Sequence, residues 1–142
     1  MRDTGYTHNS DGLAAGYTDM SSQSSVEWNS DDADGALYST VRDLYLWDPS
    51  LYTEQLVPQA QLDQMFAPRT DPVLGELAYG YGWFVGKYQR RLIAEHEGME
   101  PGARTVIARY PDDQVAIIIL SNQRSSDVRQ IMLDLSTKIF GN

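Results

Sequence analysis

The chain predicts an α+β fold: an antiparallel sheet of three to four strands packed against a C-terminal helix, with short helices and a long N-terminal loop. Three observations predict it. Between residues 79 and 121, apolar side chains recur at period two or run continuously over strand-length stretches. Residues 126–140 carry an apolar stripe at helical spacing, and residues 1–34 are polar with no period. At 142 residues the whole length fits a single unit able to bury a modest core.

Residues 1–34 are rich in Ser, Asp, Thr, Asn and Gly, with Ser21, Ser22, Ser24 and Ser25 in one cluster and Asp31, Asp32 and Asp34 in another. That composition predicts mostly loop. Its apolar anchors are Leu13-Ala14-Ala15-Gly16-Tyr17 and Val26-Glu27-Trp28. A loop so long is expected to drape over a surface supplied by the rest of the protein.

Residues 35–68 read as helical. Thr40 suits the cap of a helix whose third residue is Asp43, with Val41, Leu44, Tyr45 and Trp47 near helical spacing and Pro49 as its stop. Pro58 suits the first turn of a second helix carrying Ala60, Leu62, Met65 and Phe66 and ending by Pro68.

From Tyr79 the period becomes two, with Tyr79, Tyr81, Trp83 and Val85 on one face of a strand and Gly80, Gly82, Phe84 and Gly86 on the other. The bare glycine face invites close backbone approach. A second strand covers Arg91 to Glu97. Arg104–Tyr110 and Gln114–Ser121 then form a hairpin, with Pro111 preset for its turn. Val115–Leu120, apolar without alternation, predicts a central strand. The closing helix carries Val128, Ile131, Met132, Leu135 and Ile139, with Ser125 or Ser126 as cap and Gly141 as its end.

Composition excludes several functions. A net charge of −9 disfavours nucleic acid and anionic membrane as partners, since both are polyanions, and the basic knot Lys87, Arg90 and Arg91 is too small to invert the sign. No cysteine is present, so neither disulfides nor thiolate chemistry enter. No apolar run is long enough to span a bilayer. The compartment is not written in the sequence.

The stretch with the clearest chemistry is His96-Glu97-Gly98, ahead of Met99-Glu100-Pro101-Gly102. A basic side chain followed two positions later by glycine at a strand edge is what the substrate side of an acyl-transfer site needs. Imidazole as a class is the side chain suited to proton exchange at physiological pH, and the bare glycine lets a ligand lie along the backbone. The bland rivals are a structural histidine and core packing for Tyr79-Gly80-Tyr81-Gly82-Trp83. Ser30, Asp32, Asp34 and Gly35 resemble a calcium loop but fail at both ends, where Ser30 and Val41 replace acids. No second histidine follows His96 at zinc-helix spacing, and His8 lies in the polar leader.

Taken in order, Gly35–Leu44, Tyr79–Trp83, His96-Glu97-Gly98 with Gly102, and Pro111-Asp112-Asp113 leading to Ser121-Asn122 resemble the landmarks of the serine β-lactamase family. That family comprises the penicillin-recognising serine hydrolases, on the branch with class C β-lactamases, D-alanyl-D-alanine carboxypeptidases, D-aminopeptidases and β-lactamase-fold esterases. Met1–Tyr6 with Leu13–Tyr17 resembles the segment after that family's helical region, so the likeness starts in mid-domain and implies a partial β-lactamase/transpeptidase-like fold. The family works through Ser-x-x-Lys, through Tyr-x-Asn or Ser-x-Asn, and through Lys-Thr-Gly or His-x-Gly on a facing strand. Only the third has a match in this sequence.

The resemblance therefore implies the C-terminal part of a serine hydrolase that acts on an ester, peptide or β-lactam amide, inactive alone. His96 takes the place of the strand Lys or His, and the backbone N–H of Met99 supplies one oxyanion donor. Gly98 and Glu97 face substrate. Glu97 departs from the family's Thr, and its charge, if directed at the site, disfavours a substrate carboxylate. No cofactor or metal is implied. The expected partners are the missing N-terminal half of the domain or a second copy of the chain, together with a small-molecule or peptide substrate. The alternative is a non-catalytic ligand-binding or oligomerising module built on this fold.

Overall fold

The computed structural model describes residues 1–6, 12–19, 23 and 37–141. His8, the two Ser and Asp clusters, Val26–Trp28, and the loop from Ser30 to Ala36 that resembles a calcium site lie outside the described residues. The expected α+β architecture is present. Strands β1 (Gly5–Tyr6) and β2 (Leu37–Tyr38) form a small antiparallel pair. Strands β3 (Ala78–Tyr79), β4 (Phe84–Tyr88), β5 (Arg91–Glu100), β6 (Ala103–Tyr110) and β7 (Val115–Ser121) form a sheet in chain order. Among the described residues the α-helices are α1 (Val41–Trp47), α2 (Gln59–Met65) and the C-terminal α3 (Val128–Phe140), with short 3-10 turns at Asp48–Tyr52 and Pro111–Asp113. No helix among the described residues is long and apolar enough to cross a membrane.

The chain divides into two compact units. The first comprises Met1–Leu44, Glu97–Val106 and Ile118–Asn142. In it, Thr40 caps α1 as expected, its hydroxyl accepting the Asp43 N–H at 3.1 Å. The buried residue of α1 is Asp43, not the apolar stripe, and Val41 and Tyr45 are exposed. The carboxylate of Asp43 accepts the Asp3 N–H at 2.7 Å and the Thr4 hydroxyl at 2.8 Å, which fastens the N-terminal strand to the helix. Burial pushes this carboxyl up, but the bonds from Thr4, Asp3 and Arg2 outweigh it and hold it below the ordinary carboxylate range.

The leader docks as expected where it is described. The Tyr17 N–H reaches the carbonyls of Gly102 at 3.2 Å and Asn122 at 2.8 Å, and the Tyr17 carbonyl accepts from the Arg124 N–H at 2.9 Å. A side chain at Gly16 would stand 2.9 Å from the Gly102 carbonyl oxygen, so the backbones touch only because it is glycine. On α3 the buried line is Val128, Met132 and Ser136. Ser136 is tolerated there because its hydroxyl donates to the Met132 carbonyl at 2.8 Å. The other half of the expected stripe lies open, with Ile131, Leu135 and Ile139 exposed at 45%, 39% and 51%. The cap of α3 is Asp127, which accepts the Gln130 N–H at 3.0 Å, rather than Ser125 or Ser126. Gly141, at φ 71°, closes the helix as expected.

The second unit comprises Tyr45–His96 and Ile107–Ile117. Its core is Leu51, Leu62, Trp83, Val85 and Ala94, flanked by Trp47, Val57, Met65, Phe66 and Ile107. Trp47 stacks on Trp83 at 6.3 Å, and Phe66 tilts against the same ring at 5.5 Å. Each large side chain buried in this way contributes on the order of 1.5–3 kcal/mol. Arg109, 1% exposed, pairs with Asp48 and lies over the rings of Tyr52 and Phe66. Burial pushes the Tyr52 phenol above its ordinary range, and the neighbouring Arg109 offsets part of that rise.

Two strand expectations change. The stretch 79–86 is not one strand but the β3–β4 hairpin, pairing Ala78 with Val85 and Tyr79 with Phe84. Gly82 at φ 77° makes the turn, and the Gly80 N–H closes it on the Trp83 carbonyl at 2.7 Å. The sheet therefore has five strands. The close approach expected of the glycines holds at Gly80 and Gly86, where added side chains would meet Met65 and Leu77 at 2.6 and 2.8 Å. Among the described residues strand β7 ends the sheet order, where the sequence predicted a central strand. An unbroken apolar run reports two covered faces, and it carries no information about neighbours in the plane of the sheet.

Candidate active site

Strand β5 carries all four sequence-predicted site residues. Its regularity follows from the turns at each end. Arg91 and Tyr88 pair across a two-residue turn in which Gln89 and Arg90 both have positive φ, and Gly102 at φ 86° turns the chain from β5 into β6.

His96 is half-buried. Its Nε2 lies 3.0 Å from the hydroxyl of Tyr79, and its ring stacks on Phe84 at 5.7 Å and 29°. Tyr79 meets Phe84 edge-on at 4.8 Å, so the three rings form one cluster beside the turn of the β3–β4 hairpin.

The neighbouring side chain has other partners. Glu97 lies 3.7 Å from Arg104 of β6 and 3.6 Å from Arg129 of α3. At these separations and partial exposures each pair contributes about 0–1 kcal/mol. Their larger effect is to answer the carboxylate charge within the protein. Gly98 has a local reason to be glycine, because an added Cβ would collide with the Thr105 hydroxyl of β6. Its φ lies outside the left-handed region, so the restriction is one of space and not of backbone conformation. Met99 turns its side chain outward, 59% exposed.

Tyr79 and Thr105 carry contacts that sequence reasoning missed. Tyr79 was visible as an aromatic among glycines, but its bond to His96 spans 17 residues and has no local signal. Thr105 alternates normally along its strand and gives none either. No three potential metal-ligand side chains converge among the described residues.

Solved structures with this arrangement of sheet and helices include penicillin-binding proteins and an amidase. The chain superposes on the octameric penicillin-binding protein homologue from Pyrococcus abyssi with a TM-score of 0.85, over 100% of its own length and 35% of that chain, at 20% identity. It superposes on the penicillin-binding protein from Bacillus halodurans with a TM-score of 0.79, over 95% and 44%, at 21% identity. The D-amino acid amidase from Ochrobactrum anthropi SV3, complexed with D-phenylalanine, gives 0.70, over 98% and 49%, at 22% identity. The fold is thus that of the β-lactamases and penicillin-binding proteins.

The family model described as Beta-lactamase matches residues 1–138, and the chain belongs to that family. Penicillin-binding protein 4* of Bacillus subtilis (strain 168) is 29% identical over 108 residues, which are 75% of this chain and 24% of that protein. The chain thus spans about a quarter of the length of this curated relative.

Proposed function

We propose that the chain is the C-terminal part of a serine hydrolase that cleaves an ester, peptide or β-lactam amide through an acyl-enzyme. The observation that carries this reading is the His96-Glu97-Gly98 strand, with its imidazole half-buried against Tyr79 and Phe84, in a chain that matches the family over residues 1–138. The nucleophile belongs to a part of the protein outside these residues. A serine Oγ attacks the substrate carbonyl carbon, and the oxyanion that forms is held by the Met99 N–H and a second donor at the serine. Collapse breaks the bond to the leaving group, which departs with a proton, and water then releases the acid and restores the serine.

In this reading His96 binds substrate or tunes the proton relay, and at Gly98 the space beside the strand is taken by the Thr105 hydroxyl, which would itself border the acyl group. Arg104 and Arg129 weaken any repulsion between Glu97 and a substrate carboxylate. Esters, amine-bearing peptides and penicillin-like amides therefore all remain candidate substrates. Without the serine, half an oxyanion hole stabilises the tetrahedral intermediate poorly, and the chain alone is inactive.

The exposed line Ile131, Leu135 and Ile139 supports a second feature, a covering partner. Since the chain spans only 24% of its curated relative, that partner is best supplied by the remainder of the same domain. The oligomerising-module reading instead assigns the line to a second copy.

The test incubates the chain with a chromogenic ester and a fluorescent penicillin, alone and mixed with an N-terminal segment that bears Ser-x-x-Lys and Tyr-x-Asn. Turnover or acylation in the mixture alone is expected. Covalent labelling of the unaided chain overturns the proposal, and a stable but inert mixture favours the module.

A further inference from the structure

The cluster around His96 has a directionality that the proposed function does not require. Tyr79 is fixed before any ligand arrives. Its N–H donates to the Thr70 hydroxyl at 2.9 Å, its carbonyl accepts the Arg69 N–H at 2.8 Å, and its ring is wedged edge-on against Phe84 at 4.8 Å. Phe84 in turn lies under the imidazole. The phenol therefore meets Nε2 of His96 at 3.0 Å from a position held by backbone and ring contacts on three sides.

Between a phenol and a neutral imidazole the direction of the bond is set by chemistry. The phenol is the better donor, and the unprotonated imidazole nitrogen carries an in-plane lone pair that makes it the better acceptor. A neutral imidazole holds one proton on one of two nitrogens, and the hydrogen bond made by one nitrogen decides where it sits.

We propose that Tyr79 is a positioning residue of the site: its hydroxyl donates to Nε2 of His96 and fixes the neutral imidazole as the Nδ1–H tautomer. With Nε2 occupied, His96 orients substrate as a hydrogen-bond donor and does not take the nucleophile's proton at Nε2. This inference rests on the reading of His96 as a site residue, but the tautomer is testable without it.

The test is nitrogen-15 correlation spectroscopy of the imidazole in the 142-residue chain at a pH where it is neutral. A His8→Gln background removes the only other imidazole. A pyrrole-like Nδ1 and a pyridine-like Nε2 are expected. In Tyr79→Phe, which keeps the ring and loses the hydroxyl, the ratio of Nδ1–H to Nε2–H tautomer falls roughly fivefold, the factor that one neutral hydrogen bond commands. Phe84→Leu removes the stacking and keeps the donor, so it retains the Nδ1–H pattern. A protonated Nε2 in the unsubstituted chain, or an unchanged ratio in Tyr79→Phe, overturns the assignment.

Should Tyr79→Phe fail to fold, the unsubstituted spectrum decides alone. In the complemented protein, Tyr79→Phe raises KM more than it lowers kcat. If the complemented protein shows no turnover at all, the functional reading fails while the tautomer assignment stands or falls on its own spectrum.

Discussion

Gly98 shows how packing can reserve a motif position for glycine. The Thr105 hydroxyl fills the space its side chain would take, and the backbone there is open to any residue. Gly98→Ala therefore overpacks a single contact and is expected to destabilise by about 1–2 kcal/mol, read as a lower urea midpoint at unchanged slope. Adding Thr105→Ala to Gly98→Ala should recover most of that loss, and a double variant no better than the single would show that the glycine is required for another reason. His96 and Gly98 stand out in the sequence as candidates because a motif of adjacent residues carries its own spacing. Tyr79 was not legible as a partner, since strand pairing and not sequence proximity brings its hydroxyl to the imidazole.

Among the elements, the helical turn Asp48–Tyr52 depends on one buried ion pair for its attachment to β6. Arg109 makes that pair with its aliphatic stem and guanidinium enclosed by Tyr52 and Phe66, at 4.5 and 5.2 Å from the ring centres. Removing Asp48 alone leaves a buried cation without its counter-ion, so Asp48→Ala should destabilise by roughly 3–5 kcal/mol. Replacing Asp48 by Ala and Arg109 by Met together should cost distinctly less. A denaturant series in which the double variant is as unstable as Asp48→Ala would mean that packing around the arginine, and not its charge, holds the turn. The elements that sequence predicted well are those with local signals, namely Thr40 and Pro58 at helix starts, Pro111 in a turn and Gly141 at a helix end. Those that it missed needed tertiary information. Gly82 turned an apparent strand into a hairpin, and β7 read as central while ending the sheet among the described residues. On α3, Ser136 went inward while three aliphatic residues stayed out.

For the molecule as a whole, that outward line is set against the net charge. Ile131, Leu135 and Ile139 recur every four residues on α3, so they form one continuous apolar strip. A charge of −9 makes copies repel one another at long range. Apolar attraction at contact and screened repulsion at distance predict self-association that grows with concentration and strengthens as salt is added, because the Debye length shortens from about 30 Å at 0.01 M to about 10 Å at 0.1 M. Sedimentation velocity on the isolated chain should show this trend. Ile131→Lys with Leu135→Gln should abolish it while α3 keeps its buried line of Val128, Met132 and Ser136. Added N-terminal segment should suppress association without any substitution, because the same strip would already be covered. A chain that sediments as a monomer at every concentration and salt, or one whose association survives the two substitutions, would remove the strip as the surface that the rest of the domain covers.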